Sequence, residues 1–198
     1  MKKFVTEIIQ ILVLWMWITL PGSAETLSSN IIRKGDVVHF GTAISNESYK
    51  RLVMMYNSEP FTMLQITSNG GEYDAGMKIA QLVYQKNINV YVPKYCASAC
   101  TFVFFGAKLG HRDIAPTAML GLHNVSFETN ASSLEQTIPL RDAMEFAQSA
   151  VVRSGMMISF YAANGVPSDV LLKVSQTYGQ GIINVQRDDL VRWGSISE

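Results

Sequence analysis

Tyr95-Cys96-Ala97-Ser98-Ala99-Cys100-Thr101-Phe102-Val103-Phe104-Phe105-Gly106 is the stretch on which the reading of this chain turns. Ahead of it, Ile88-Asn89-Val90-Tyr91-Val92 has the composition of a strand and is closed by Pro93. Behind Ser98 the apolar residues run without a break, which suits a helix buried on all sides. Small residues between a strand and a buried helix put Ser98 at a helix N-terminus. The first amides of a helix have no partner within it, and its dipole favours a developing anion there. Small neighbours leave the hydroxyl approachable. Two roles fit: an N-cap, the commonplace one for serine at such a turn, or a nucleophile. Two other segments bear on the choice.

Upstream, Ser68-Asn69-Gly70-Gly71 reads as a turn after the strand at 61–66. Paired glycines bring backbone N–H groups close to a ligand and could form an oxyanion hole, although most such turns are only turns. Downstream, Ala118-Met119-Leu120-Gly121-Leu122-His123-Asn124 is an apolar strand that ends in a histidine. His39 falls inside a strand pattern and His111 in a polar loop, so both read as structural or surface residues. His123 stands at a strand end, where catalytic groups are often presented.

The remaining pattern alternates. Residues 25–36 are polar and read as a loosely held arm, and Val37-Val38-His39-Phe40 as a short strand. Ser45 is a good N-cap, and Tyr49, Leu52, Val53 and Tyr56 then share one helical face that stops at Ser58-Glu59-Pro60. Ala75, Ile79, Leu82 and Val83 mark the next amphipathic helix. Strand, helix, strand, helix, strand, helix implies an α/β domain with a mainly parallel sheet. After a polar loop at 127–133, Pro139 opens a long helix. Its stripe Leu140, Met144, Ala147 and Val151 is read as an inner, core-facing face, and Asn164-Gly165 ends it. Ser168 caps a short helix through Val174, residues 182–185 form a last strand, and 188–193 a last helical turn.

Composition bounds the function. The 198 residues are enough for one domain, and 48% hydrophobic against 16% charged residues indicates a well-buried globular protein. Net charge is zero and no basic run exists, so nucleic acid and acidic membrane surfaces are poor partners. Lys2 and Lys3 precede an uncharged stretch at 8–20, followed by small residues at Gly22 and Ala24. This is the layout of a signal peptide over 1–24, cleaved after Ala24, with a single domain at 25–198. The apolar stretch is shorter than the roughly 20 residues a membrane span needs. Export, periplasmic or secreted, places Cys96 and Cys100 where disulfides form. They flank Ser98 symmetrically, as a bond bracing the serine turn or as two buried thiols. No further Cys or His lies near them, so no metal site is expected.

Taken together, three segments resemble the proteolytic subunit of the Clp protease and its relatives in the ClpP/crotonase superfamily. Ile66-Thr67-Ser68-Asn69-Gly70-Gly71 and the following Ala75-Gly76-Met77-Lys78-Ile79-Ala80 are similar to the family's glycine-pair turn and helix, with Asn69 where the family often has proline. Cys96-Ala97-Ser98-Ala99-Cys100-Thr101-Phe102 resembles the nucleophile segment, and Met119-Leu120-Gly121-Leu122-His123 the strand bearing the catalytic histidine. The Cys-Ala-Ser-Ala-Cys variant and the leader look most like exported bacterial members. The resemblance implies a ClpP/crotonase-like fold of repeated strand/helix units. It implies Ser98 as nucleophile, His123 as general base, and the N–H groups of Gly71 and Ala99 as oxyanion hole.

The third triad member departs from the family pattern. Its aspartate corresponds roughly to the stretch Tyr178-Gly179-Gln180-Gly181-Ile182-Ile183-Asn184, which has no carboxylate; Asn184 could orient the imidazole through its amide oxygen, and Asp188 and Asp189 come later, at the start of the last helix. Membrane-bound relatives use a serine–lysine dyad, but no lysine occurs between Lys108 and Lys173. In the Clp subunit, the region of the long helix serves subunit assembly. The resemblance therefore implies an exported serine hydrolase, a peptidase acting on peptide or protein, without cofactor, and able to form a homo-oligomer. A catalytically degenerate ClpP-like binding or assembly module is the alternative. A crotonase-type enzyme of acyl-thioesters fits export poorly, because coenzyme A is cytosolic.

Overall fold

The computed structural model describes residues 31–125, 139–177 and 181–198. The expected signal peptide and the polar loop at 127–133 lie outside the described residues.

The chain enters as a hairpin. Ile31–Lys34 (β1) and Val37–Phe40 (β2) pair antiparallel, with Lys34 opposite Val37. The two-residue turn between them has Gly35 at φ 59°, a conformation glycine adopts without steric cost. The loosely held arm expected over 25–36 is thus a strand from Ile31 onward, and Ile31 is fully buried. A Gly-Asp pair between two short apolar runs was the available signal.

From β2 the alternation follows the sequence. Ser45 caps Asn46–Ser58 (α1) in a reciprocal capping box with Ser48, and Leu52 is buried on its inner face. Met63–Ile66 (β3) is followed by Tyr73–Lys86 (α2) and Asn89–Val92 (β4). Tyr95–Ala97 (β5) leads into Ala99–Gly106 (α3), and then come Arg112–Ile114 (β6) and Met119–Leu122 (β7). Leu140–Ala163 (α4), Ser168–Ser175 (α5), Ile183–Gln186 (β8) and Arg187–Arg192 (α6) complete the described chain. The first sheet has the order β1-β2-β3-β4-β6, with β2, β3, β4 and β6 all parallel. The second has the order β5-β7-β8, with β5 parallel and β8 antiparallel to β7. The mainly parallel sheet is therefore present, but split in two. Every residue of α3 is buried, as its unbroken apolar run requires.

The long helix α4 docks through its C-terminal end. Phe160 lies edge-on to Phe102 of α3 at 5.8 Å, and Tyr161 edge-on to Phe105 at 5.6 Å. Met157 and Tyr161 are buried, whereas Leu140 and Val151 are 77% and 73% exposed. Met144 and Ala147 are exposed as well. The stripe expected to face the core thus faces away from it. Periodicity reports that a face is apolar, not what covers it.

Arg112 joins three parts of the chain without a carboxylate. It is almost fully buried and donates to the carbonyls of Ser195 (3.0 Å), Phe105 (3.1 Å) and Asn164 (3.0 Å). Its guanidinium lies over the rings of Phe104 and Phe105. Burial pulls its pKa down to about 10. Replacing it with methionine leaves three carbonyls unpaired, each costing about 1–3 kcal/mol when it stays dry. Arg112→Met is expected to lower unfolding free energy by about 3 kcal/mol or more. A urea midpoint equal to wild type would show that the three carbonyls find other partners.

Candidate active site

Strand β5 is only three residues long, yet it is held on both sides. Its register with β7 pairs Cys96 with Leu120 and Ala97 with Gly121. On the other side Ala97 N–H donates to Ser68 O at 3.0 Å, and an isolated bridge joins Ser68 to Cys96. The next residue, Ser98, donates its N–H to Gly121 O at 2.8 Å. The ladder therefore places Ser98 beside the strand that leads to His123.

Ser98 then turns the chain into α3 with φ 55° and ψ −132°, a conformation that L-residues rarely adopt. Its side chain makes no capping hydrogen bond, so the N-cap role does not account for it. Its carbonyl accepts from the Thr101 amide (2.9 Å) and the Thr101 hydroxyl (2.6 Å). Thr101 Oγ1 in turn lies 2.6 Å from the hydroxyl of Tyr161 on α4. Burial pushes the Tyr161 phenol well above its ordinary range, and because the Thr101 hydroxyl donates to Ser98 O, the Tyr161 hydroxyl is the donor of this pair. Cys96 and Cys100, both fully buried, are joined in a disulfide with Cα atoms 5.3 Å apart. The bond spans the turn that carries Ser98.

The glycine pair sits against this turn. Gly70 has φ 98°, and a Cβ there would lie 2.5 Å from Ser98 Cβ and 2.9 Å from Ala99 N. Only glycine permits that approach. Gly71 forms an isolated parallel bridge with Ile44, whose bonds run through Gly70 O and the Glu72 amide. The Gly71 N–H is thus left out of that bridge, and Ala99 N–H is the first amide of α3. Ala99 directly follows Ser98 and Gly71 directly follows Gly70, and neither N–H makes a backbone hydrogen bond among the described residues.

His123 follows β7 directly and is half-buried. Its Nδ1 lies 2.5 Å from the main-chain oxygen of Asn124. Among the described residues no hydrogen bond joins Ser98 Oγ to His123; the connection between them runs through Ser98 N–H and Gly121 O. Asn184 stands opposite Gly121 in the β7–β8 ladder and is exposed. No hydrogen bond joins it to His123 among the described residues, where Nδ1 is already engaged. Asp189 accepts from the Gln186 amide and pairs with Arg192 at the start of α6, so its role is structural. Sequence reasoning missed Thr101, Tyr161 and Asn124. An apolar context around the hydroxyls of Thr101 and Tyr161 was the available signal for the first two.

A cleft of about 480 Å³ opens between the start of α2 and the middle of α4. Tyr73, Asp74, Val152, Arg153 and Met156 are among its lining residues. Its near wall begins at Tyr73, two residues past Gly71, and the Arg153–Asp74 ion pair (2.8 Å) crosses from one helix to the other. Among the described residues no cluster of three or more His, Cys, Asp or Glu side chains could hold a metal ion.

The fold has a counterpart among solved structures. A solved structure of ClpP1 from Listeria monocytogenes, in an asparagine-to-aspartate mutant, superposes with a TM-score of 0.59 at 16% identity. The alignment covers 82% of this chain and 90% of that one, and it shows a shared ClpP-like fold. No curated protein matches the chain. The family model described as Clp protease matches residues 23–160, a span that takes in the Gly70-Gly71 turn, Ser98 and His123 together. On the strength of that span, the chain belongs to the Clp protease family.

Proposed function

We propose that this protein is an exported serine hydrolase that cleaves peptides, with Ser98 as nucleophile and His123 as general base. The observation that carries the reading is the Ser98 backbone. A non-glycine residue at φ 55°, with no capping bond to explain it, is strain of the kind that persists at functional sites. Ser98 lies against Gly70, next to Gly71, and directly ahead of Ala99, the two residues whose amides would serve as the oxyanion hole being Gly71 and Ala99. In the reaction, Ser98 Oγ attacks the scissile carbonyl as its proton passes to His123. The oxyanion that forms accepts from the two amides, and the imidazolium returns the proton to the leaving amine. Export rests on the leader at 1–24 and on the Cys96–Cys100 bond, which needs an oxidising compartment.

Assembly into a homo-oligomer is part of the same reading. Leu140, Met144 and Val151 make an exposed apolar face on α4, as a surface covered by another copy would be.

One observation favours the alternative, a ClpP-like binding or assembly module: Ser98 and His123 are not hydrogen-bonded among the described residues, and no carboxylate meets the imidazole. Catalytic hydrogen bonds are often loose without substrate, so reactivity decides the matter. A fluorophosphonate probe is expected to label the folded wild-type chain slowly. Labelling should vanish in Ser98→Ala and fall by roughly 10²-fold or more in His123→Ala. Folded wild-type protein that stays unlabelled at high probe concentration would overturn the hydrolase reading in favour of the binding module.

The disulfide gives a second test. It closes a very short loop, so its loss is expected to cost about 2 kcal/mol in the chain-entropy account. Cys96→Ala/Cys100→Ala should lower the unfolding midpoint and slow fluorophosphonate labelling together. Protein isolated without reductant should show no alkylatable thiol; two alkylated cysteines would mean that the bond does not form.

A further inference from the structure

The imidazole of His123 is held by a group that no side-chain comparison would find. Its Nδ1 lies 2.5 Å from the main-chain oxygen of Asn124. A carbonyl oxygen can only accept, so Nδ1 must carry the proton. In the neutral ring that leaves the lone pair on Nε2, the tautomer a general base needs.

The carbonyl is itself fixed, because all the other polar groups of Asn124 are committed. Its N–H donates to Thr177 Oγ1 at 2.7 Å, and its Nδ2 donates to Ser175 O at 3.1 Å. Its Oδ1 accepts from Val125 N–H at 2.8 Å and from Ser154 Oγ at 2.5 Å. Thr177 spends its own proton on Val174 O at 2.7 Å, which leaves its lone pairs to receive Asn124 N–H. Ser154 belongs to α4, Ser175 ends α5, Thr177 follows it, and Val174 is fully buried. Two helices thus clamp one peptide unit.

We propose that Asn124 is the positioning residue of this site: its main-chain carbonyl occupies the place of the third triad member, and Ser154 and Thr177 anchor it there. The inference rests on His123 being the base only for its catalytic consequence. The tautomer is a property of the folded chain and can be read without any substrate.

The experiment is two-bond proton–nitrogen NMR of the full chain with 15N-labelled histidine, recorded where imidazole is neutral. The His123 signal is assigned by its disappearance in His123→Gln. The expected result is a single Nδ1–H tautomer for His123. A proton on Nε2, or an average of both tautomers, would overturn the proposal. Thr177→Val does not touch His123, yet it removes the acceptor of Asn124 N–H and should shift the signal toward an average of tautomers. Thr177→Ser restores the hydroxyl and should bring the Nδ1–H tautomer back. In the same variants fluorophosphonate labelling should fall roughly ten-fold and recover, in step with a loss of one partly buried hydrogen bond. An Nδ1–H tautomer in a chain that never labels would uphold the role of Asn124 and remove the hydrolase reading. A labelling enzyme whose His123 carries its proton on Nε2 would do the reverse.

Discussion

Ser98 has to leave a parallel ladder and enter a buried helix within a single residue, and most of the neighbouring structure answers to that. The cost of its backbone conformation is of the order of 1–3 kcal/mol. Against it stand the bonds from Ser98 N–H to Gly121 O and from the Thr101 amide and hydroxyl to Ser98 O. Each contributes about 0.5–1.5 kcal/mol net, so together they offset the strain. They also fix its surroundings. The bond to Gly121 requires β7 to run alongside β5, and the close contact with Ser98 excludes any side chain at position 70. The turn is thus assembled from pieces that are far apart in sequence, and no single piece would hold it.

The elements that carry a periodic apolar signal were legible in advance: α1 with its Ser45 cap, α2, the buried α3, and β2, β3, β4 and β7. The reason is physical, since each buries one face or all faces against neighbours within the same chain. What stayed hidden has equally specific causes. At three residues, β5 has no period, so the sequence could not separate it from the turn that follows or reveal a second sheet. The face of α4 at 140–151 is as apolar as a core face, and hydropathy does not say which surface meets it. Arg112 looks like any surface arginine until three carbonyls from distant segments converge on it.

The site divides in the same way. Ser98, His123, Gly71 and Ala99 were named as candidates because their segments resemble those of the Clp family, and the fold brings Gly70, Ser98 and Ala99 together beside the strand leading to His123. The group facing Nδ1 could not be named. Every residue has a carbonyl, so sequence cannot say which one is aimed at an imidazole; only the fold can. Looking for a carboxylate, or for a side chain in its place, leads to Asn184, which is exposed on β8.

A main-chain carbonyl is also the better of the two neutral candidates, for a reason that separates two tasks of a triad carboxylate. One task is to set the tautomer and the other is to stabilise the imidazolium. Replacing a triad aspartate with asparagine lowers kcat by about 10⁴-fold, largely because the ring then takes the wrong tautomer. An asparagine side chain carries both a donor and an acceptor and can turn its NH₂ toward Nδ1, fixing the proton on Nε2. A peptide carbonyl has no such freedom: it accepts or does nothing. The Asn124 oxygen can therefore perform the first task fully, and the second only through its dipole. A site built this way keeps the correct base but gives up the charge that steadies its protonated form. On the proposed reading, the chemistry of Ser98 and His123 is slow because the imidazolium is costly.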